Sequence, residues 1–279
     1  MNSRLPNCLY IGPGKTGSTW LFEFFKYHPD IYVTPAKDLY FFDQFYQRGT
    51  DWYAKQFAGA TTQSIIAEIC HDYIVSTEAP LRIKETVPEA KLVMFLREPS
   101  ERAFSAYLYR VKHGICEGSF EDALRDVPEV FSSSLYANYI ERFLEHHPKE
   151  HLLVFAFDDL RDNPQAFANQ VCDRLLVDRI EIHESLGRAT LKAAKARSLW
   201  VAKLVKHSAV AARRMGAANL VGRLKTNRML QKSLYRDFAA GEKPVPSSET
   251  IAELKDLARP SVLALDEMMG TNFCERWGY

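Results

Sequence analysis

Asn7-Cys-Leu-Tyr-Ile-Gly-Pro-Gly-Lys15-Thr-Gly-Ser-Thr-Trp-Leu-Phe-Glu-Phe-Phe-Lys-Tyr27 is the stretch on which the fold turns. Asn7–Gly12 is a short apolar run ending in a glycine-bearing turn, and Ser18–Tyr27 reads as a helix rich in Leu and Phe. The order is strand, phosphate-sized loop, helix. Such a junction leaves backbone N–H groups unpaired at the helix N-terminus, the glycines admit an anion, and Lys15 adds a positive charge. The plain alternative is a glycine-rich turn with an exposed lysine. A Walker loop needs four residues between its first glycine and the Gly-Lys pair, whereas only Pro13 separates Gly12 from Gly14-Lys15.

Outward from this stretch, Ser64–Cys70, Lys91–Arg97 and His151–Phe157 read as further strands. The near-continuous apolar run of Lys91–Arg97 suits a strand buried on both faces. Helices are expected over roughly Pro80–Thr86, Pro99–Lys112, Phe120–Arg125, Leu135–His146 and Pro164–Leu176. Strands alternating with helices imply an α/β fold, a P-loop-like doubly wound parallel sheet flanked by helices, with ligands at the carboxyl ends of the strands. After Val177 the expectation changes to basic helices, with Trp200, Val201, Leu204 and Val205 forming an apolar stripe and no further clear strand. Pro244-Val-Pro246 breaks the chain, and Ser247 or Ser248 caps a last helix running to about Met269. The reading is one domain over 1–279, with a core at 5–180, a basic helical cap at about 185–243 and a C-terminal helix at about 247–270.

At 279 residues and 47% hydrophobic content the chain can bury a substantial core. The apolar run after the N-terminus is too short for a signal-peptide core, and no stretch of about 18 apolar residues runs uninterrupted. A soluble, cytoplasmic protein without a membrane span is expected. Cys8, Cys70, Cys116, Cys172 and Cys274 are scattered, with no cysteine/histidine cluster at zinc spacing, and are read as free thiols. Net charge is +1, yet Ser185–Arg236 carries thirteen Lys/Arg and no Asp or Glu, leaving 23 basic residues elsewhere against 35 acidic ones. A basic segment on an acidic body attracts an anion, or is a solvated helical face. The strand that would end in the Mg²⁺-holding aspartate of a nucleotide triphosphatase ends in Arg97, a permanent cation with donors fitted to phosphate. That points to an anion site without a metal.

With these residues in view, most of the chain resembles the sulfotransferase superfamily, nearer its bacterial and heparan-sulfate-type branch than its cytosolic phenol and steroid branch. Lys15-Thr-Gly-Ser-Thr19 looks like the family's 5′-phosphosulfate loop, so Lys15, Thr16, Gly17, Ser18 and Thr19 are the implied 5′ ligands. Leu96-Arg97-Glu-Pro-Ser-Glu-Arg-Ala-Phe-Ser105 looks like the 3′-phosphate signature, held by Arg97 and Ser105. Lys37-Asp38-Leu-Tyr-Phe-Phe-Asp43 is similar to the segment in which the heparan-sulfate-type enzymes carry a general-base glutamate, and Asp38 falls on that position with one methylene less. Phe41, Phe42, Trp52 and Tyr53 read as core or as acceptor-pocket wall. The chain departs from the pattern at Glu68-Ile-Cys-His71-Asp-Tyr73, where the family's Glu-Lys-Thr-Pro lysine is missing and His71 is a substitute base or acceptor contact.

The resemblance implies in-line transfer of a sulfuryl group from 3′-phosphoadenosine 5′-phosphosulfate (PAPS) to an acceptor hydroxyl, leaving 3′,5′-ADP (PAP), with no metal. Lys15 would stabilise the leaving oxygen, Asp38 would take the proton, and Lys195 or Arg197 would close over the 3′-phosphate or adenine. The acceptor is read as a small natural product, with a glycan as the other candidate; no nucleic-acid partner is expected. The competing readings are a polyanion-binding protein on the same fold and, last, a P-loop kinase.

Overall fold

The computed structural model describes residues 4–187, 194–196, 235–237 and 242–279. By internal contacts the chain divides into one unit of Met1–Arg97 with Tyr139–Thr190 and another of Glu98–Asn138 with Leu191–Tyr279.

The first unit is built on a parallel sheet of β1 (Cys8–Gly12), β2 (Ile31–Val33), β3 (Ile65–Ile69), β4 (Lys91–Leu96) and β5 (Leu152–Ala156), in the order β2-β3-β1-β4-β5. Helices α1 (Ser18–Tyr27), α2 (Gly49–Lys55) and α3 (Ala79–Thr86) fall between its strands. Leu92 through Leu96 are fully buried, as expected of a parallel strand covered on both faces. Trp20, Leu21, Phe24 and Phe25 of α1 are buried as well. Trp20 stacks on Phe24 at 5.1 Å between ring centroids and meets Phe167 edge-on at 5.4 Å, while Phe167 in turn packs on Phe95 at 4.9 Å. This aromatic slab fixes α1 against the sheet and so fixes the loop that precedes it.

From β1 the chain goes to β2 and β3 on one side, then crosses to β4 and β5 on the other. The carboxyl ends of β1 and β4 are neighbours, with Gly12 opposite Met94. This is the switch point at which ligands bind in open α/β sheets. The segments after β1, β2 and β3, together with Arg97 beyond β4, all leave from this edge.

The second unit contains α4 (Pro99–Lys112), whose N-cap Glu98 accepts hydrogen bonds from the Glu101 N–H at 2.8 Å and from Tyr279 Oη at 2.6 Å. Its apolar cluster joins Ala103, Tyr107, Phe120, Ala123, Val130 and Leu254. The C-terminal helix Ser248–Met269 starts as read, with Ser247 Oγ accepting from the Thr250 N–H at 2.9 Å.

Two expectations need correction. Ile31–Val33 forms β2, an edge strand too short for its periodicity to stand out. After Val177, where no strand was expected, β6 (Ala194–Ala196) and β7 (Tyr235–Asp237) pair antiparallel, with Lys195 opposite Arg236. The pairing joins residues some forty positions apart, which no local pattern reports. The stripe Trp200, Val201, Leu204 and Val205, and the candidate Arg197, lie outside the described residues.

Candidate functional site

The loop between β1 and α1 is shaped by its own short side chains. Thr16 is fully buried; its hydroxyl, Tyr10 Oη and the Pro13 carbonyl oxygen lie 2.8 Å from one another, and the two hydroxyl protons serve these three contacts between them. The Thr16 side chain therefore braces the loop from inside. Gly17 caps α1 at φ 105°, where a Cβ would lie 2.9 Å from Leu160 Cδ2. Lys15 holds a left-handed φ of 75°, which costs free energy in a non-glycine residue and clusters at functional sites. Ser18 is buried and Thr19 exposed, both in the first turn of α1, which contains no acidic residue.

The segment after β2 brings Lys37 and Asp38 to this loop. Asp38 and Tyr40 are also left-handed, at φ 60° and 55°, and the Asp38 N–H donates to the Ile69 carbonyl at 2.8 Å, tying the segment to the end of β3. Lys37 Nζ donates to Ser18 Oγ at 3.1 Å and to Thr19 Oγ1 at 3.3 Å. Burial pulls the Lys37 ammonium below its usual pKa, with Asp38, Cys70 and Glu23 working against that shift.

His71 emerges just past β3 and meets Asp38, with Nδ1 and Oδ1 2.6 Å apart. Its other nitrogen, Nε2, is 3.4 Å from Asp72 Oδ1. Burial lowers the imidazole pKa, but Asp38 and then Asp72 more than offset this and leave it raised, although Lys37 opposes them. The ring also touches the anion loop: a Cβ on Gly14 would lie 2.9 Å from His71 Cδ2. Asp38 and His71, nominated separately by the sequence, thus form one carboxylate–imidazole pair against the Lys15 loop.

Glu68, the last residue but one of β3, is fully buried. Its carboxylate accepts hydrogen bonds from Tyr53 Oη and from Tyr73 Oη, the latter at 2.7 Å. Tyr73 Oη in turn accepts the Phe41 N–H at 2.9 Å, which anchors the segment carrying Asp38. Burial pushes the Glu68 carboxyl up to about 7, the two tyrosines pulling against this and Asp43 and Asp38 adding to it. Asp43 is itself pushed up to about 6, chiefly by burial. Phe41, Phe42 and Tyr53 are fully buried, and Phe41 stacks on Tyr53 at 4.1 Å. They belong to the core, and Trp52 alone of the four aromatics is half-buried.

Of the remaining candidates, Arg97 follows β4 with its guanidinium 5.0 Å from the centroid of the Phe157 ring. Ser105 is half-buried in α4 of the second unit, and Lys195 lies in β6. The placement of Lys37 and the Glu68–tyrosine network are not apparent from the sequence pattern. A lone acid inside an apolar strand was the available signal for Glu68; for Lys37 it was adjacency to Asp38. Among the described residues, no cluster of His, Cys, Asp or Glu is arranged to hold a metal ion, and no helix is long and apolar enough to cross a membrane.

Comparison with known proteins bears on this arrangement. Over 190 residues the chain is 33% identical to the human bifunctional heparan sulfate N-deacetylase/N-sulfotransferase 3, covering 60% of this chain and 22% of that protein. Over 185 residues it is 30% identical to human heparan sulfate glucosamine 3-O-sulfotransferase 6, covering 63% and 54%. The chain thus spans about half, or less, of these relatives' lengths. The crystal structure of a sulfotransferase from Alicyclobacillus acidocaldarius superposes with a TM-score of 0.58 at 25% identity, over 66% of this chain and 88% of that one. The sulfotransferase-domain family model matches residues 5–208, which include the Lys15 loop, the Asp38–His71 pair and the Arg97–Ser105 signature, and the chain belongs to the sulfotransferase family.

Proposed function

We propose that the chain is a PAPS-dependent sulfotransferase that sulfates a hydroxyl acceptor. The observation that carries this reading is a carboxylate–imidazole pair packed against an anion-receiving loop, with the His71 ring at Gly14 and Asp38 on its Nδ1. One side of the site receives the donor's negative charge; the other can receive a proton.

PAPS supplies an activated sulfuryl group: sulfur bonds to the acceptor oxygen as its bond to the 5′-phosphate oxygen breaks, and the electron pair leaves on that phosphate. Lys15 and the N–H groups at the head of α1 would hold the 5′-phosphate. Arg97 and Ser105 are assigned the 3′-phosphate by their match to the family signature, and Lys195 and Arg197 its surroundings by the sequence alone. Charge-assisted hydrogen bonds of this kind are worth roughly 1.5–3 kcal/mol each. No metal takes part in this reading, and a cytoplasmic setting belongs to it.

Asp38 and His71 act as one acid–base unit whose titration belongs to the pair. Asp38 orients the imidazole through Nδ1, and the pair takes the acceptor's proton, a role worth a factor of about 10²–10⁴ in such enzymes. The acceptor is a glycan or a small natural-product hydroxyl. Burial of Phe41, Phe42 and Tyr53 removes most of the aromatic wall that would favour a ring-bearing acceptor, and the heparan-sulfate relatives support the glycan. Labelled PAPS offered with oligosaccharides, phenols and alkyl alcohols tests the reading: transfer to a hydroxyl of one class supports it, and transfer to none of them in any buffer contradicts it.

A further inference from the structure

Lys37 stands where an isolated protein would not place a cation. The N-terminus of an α-helix carries a partial positive charge, so a carboxylate is favourable there and an ammonium is not. The first turn of α1 has no acidic residue, yet Lys37 Nζ is held on it by Ser18 Oγ at 3.1 Å and Thr19 Oγ1 at 3.3 Å, both uncharged acceptors. Lys15, on the loop leading into the same turn, adds a second positive charge. Asp38 and Glu23 offset part of the Lys37 charge, but neither carboxylate lies in the first turn of α1, and an anion received at that helix end completes the arrangement.

The hydroxyls that hold Lys37 suggest which anion. In a Walker-type loop, a hydroxyl at the head of the helix binds Mg²⁺, whose charge faces the phosphates. Here Thr16, the hydroxyl next to Lys15, is spent on the Pro13 carbonyl and Tyr10, and the next two hydroxyls carry an ammonium. A side-chain cation occupies the role that a metal fills in nucleotide triphosphatases.

We propose that Lys37 is a second cation of the donor site, contacting the 5′-phosphate oxygens of PAPS and of the product 3′,5′-ADP while Ser18 and Thr19 hold it in place. This rests on the PAPS reading above. During transfer the acceptor oxygen bonds to sulfur, the bond from sulfur to the bridging oxygen breaks with its electron pair remaining on the 5′-phosphate, and the acceptor's proton passes to the Asp38–His71 pair. Lys37 then faces a phosphate carrying one more negative charge than before, so it favours the departing state over the bound donor.

Calorimetric titration with 3′,5′-ADP, comparing the unaltered chain with Lys37→Met and Lys37→Arg, tests this. The expected result is an affinity loss of about 10- to 100-fold for Lys37→Met and a smaller loss for Lys37→Arg, as for a charge-assisted contact. Equal affinity in Lys37→Met, or an equal loss in both variants, overturns the proposal. If the unaltered chain binds no 3′,5′-ADP, the PAPS reading fails instead, so the two failures are distinguishable. Should Lys37→Met fold poorly, acylation of the unaltered protein tests the same contact: 3′,5′-ADP should shield Lys37 from the reagent and adenosine should not, and equal labelling with both overturns the assignment.

Discussion

The anion loop and the acid–base wall facing it are built in different ways. The loop is contiguous: thirteen residues of chain from Cys8 to Trp20 contain the strand end, the glycines, Lys15 and the helix head, and the groups proposed to receive the anion include the backbone N–H groups of that helix head. The wall is gathered from separate segments, with Asp38 after β2, His71 and Glu68 at and within β3, and Tyr53 in α2. Backbone donors keep their function through most side-chain changes, whereas a wall of side chains loses its geometry when one member changes. Damage to the loop should therefore appear in binding, and damage to the wall in turnover.

The largest expected effect separates the two through Lys15 and Asp38. Lys15→Ala should weaken 3′,5′-ADP binding and slow transfer together, because the charge acts on bound nucleotide and on the leaving oxygen alike. Asp38→Asn should leave 3′,5′-ADP affinity nearly intact and cut transfer by roughly 10²-fold or more. The pair must be free of its extra proton to accept another, and its imidazole pKa is raised, so transfer should fall as pH drops through that raised value. The groups facing this imidazole are Asp38, Asp72 and Lys37, and His71→Gln should abolish the limb. An Asn variant with a near-normal rate would place the base elsewhere; one that loses nucleotide affinity would make the wall part of the binding loop and dissolve the contrast.

A smaller effect is expected at Glu68, beside the other residues that form the wall. Glu68 has its carboxyl raised to about 7, so between its unfolded value near 4.5 and that point the folded chain holds a proton the unfolded chain has released. Its contribution is therefore fully present below about 4.5 and is lost as pH rises toward 7. Glu68→Gln should flatten that part of the stability–pH curve, by ~1–3 kcal/mol over the window, in urea unfolding at several pH values. Asp43, pushed up to about 6, contributes to the slope that remains, together with the raised His71 and the lowered His147. An unchanged curve would mean that the tyrosines hold Glu68 ionised throughout.

The same contrast explains what the sequence disclosed. β1, β3, β4, β5 and α1 were readable to within a residue or so because buried parallel strands are continuous apolar runs and the loop between β1 and α1 is local. β2, β6 and β7 are three residues each and take their identity from partners far along the chain. Asp38 and His71 were both nominated, yet their pairing across 33 positions is a tertiary fact. Lys37 was visible only as the neighbour of Asp38, since its contacts with Ser18 and Thr19 require β2 and α1 to be already in place.

Recognition of the donor is measured by calorimetry with 3′,5′-ADP and 5′-AMP in Mg²⁺-free buffer. The 3′-phosphate assigned to Arg97 and Ser105 is present only in the first nucleotide. 3′,5′-ADP should bind at least ~100-fold more tightly, the equivalent of about two charge-assisted hydrogen bonds. Equal affinity for the two nucleotides would contradict it.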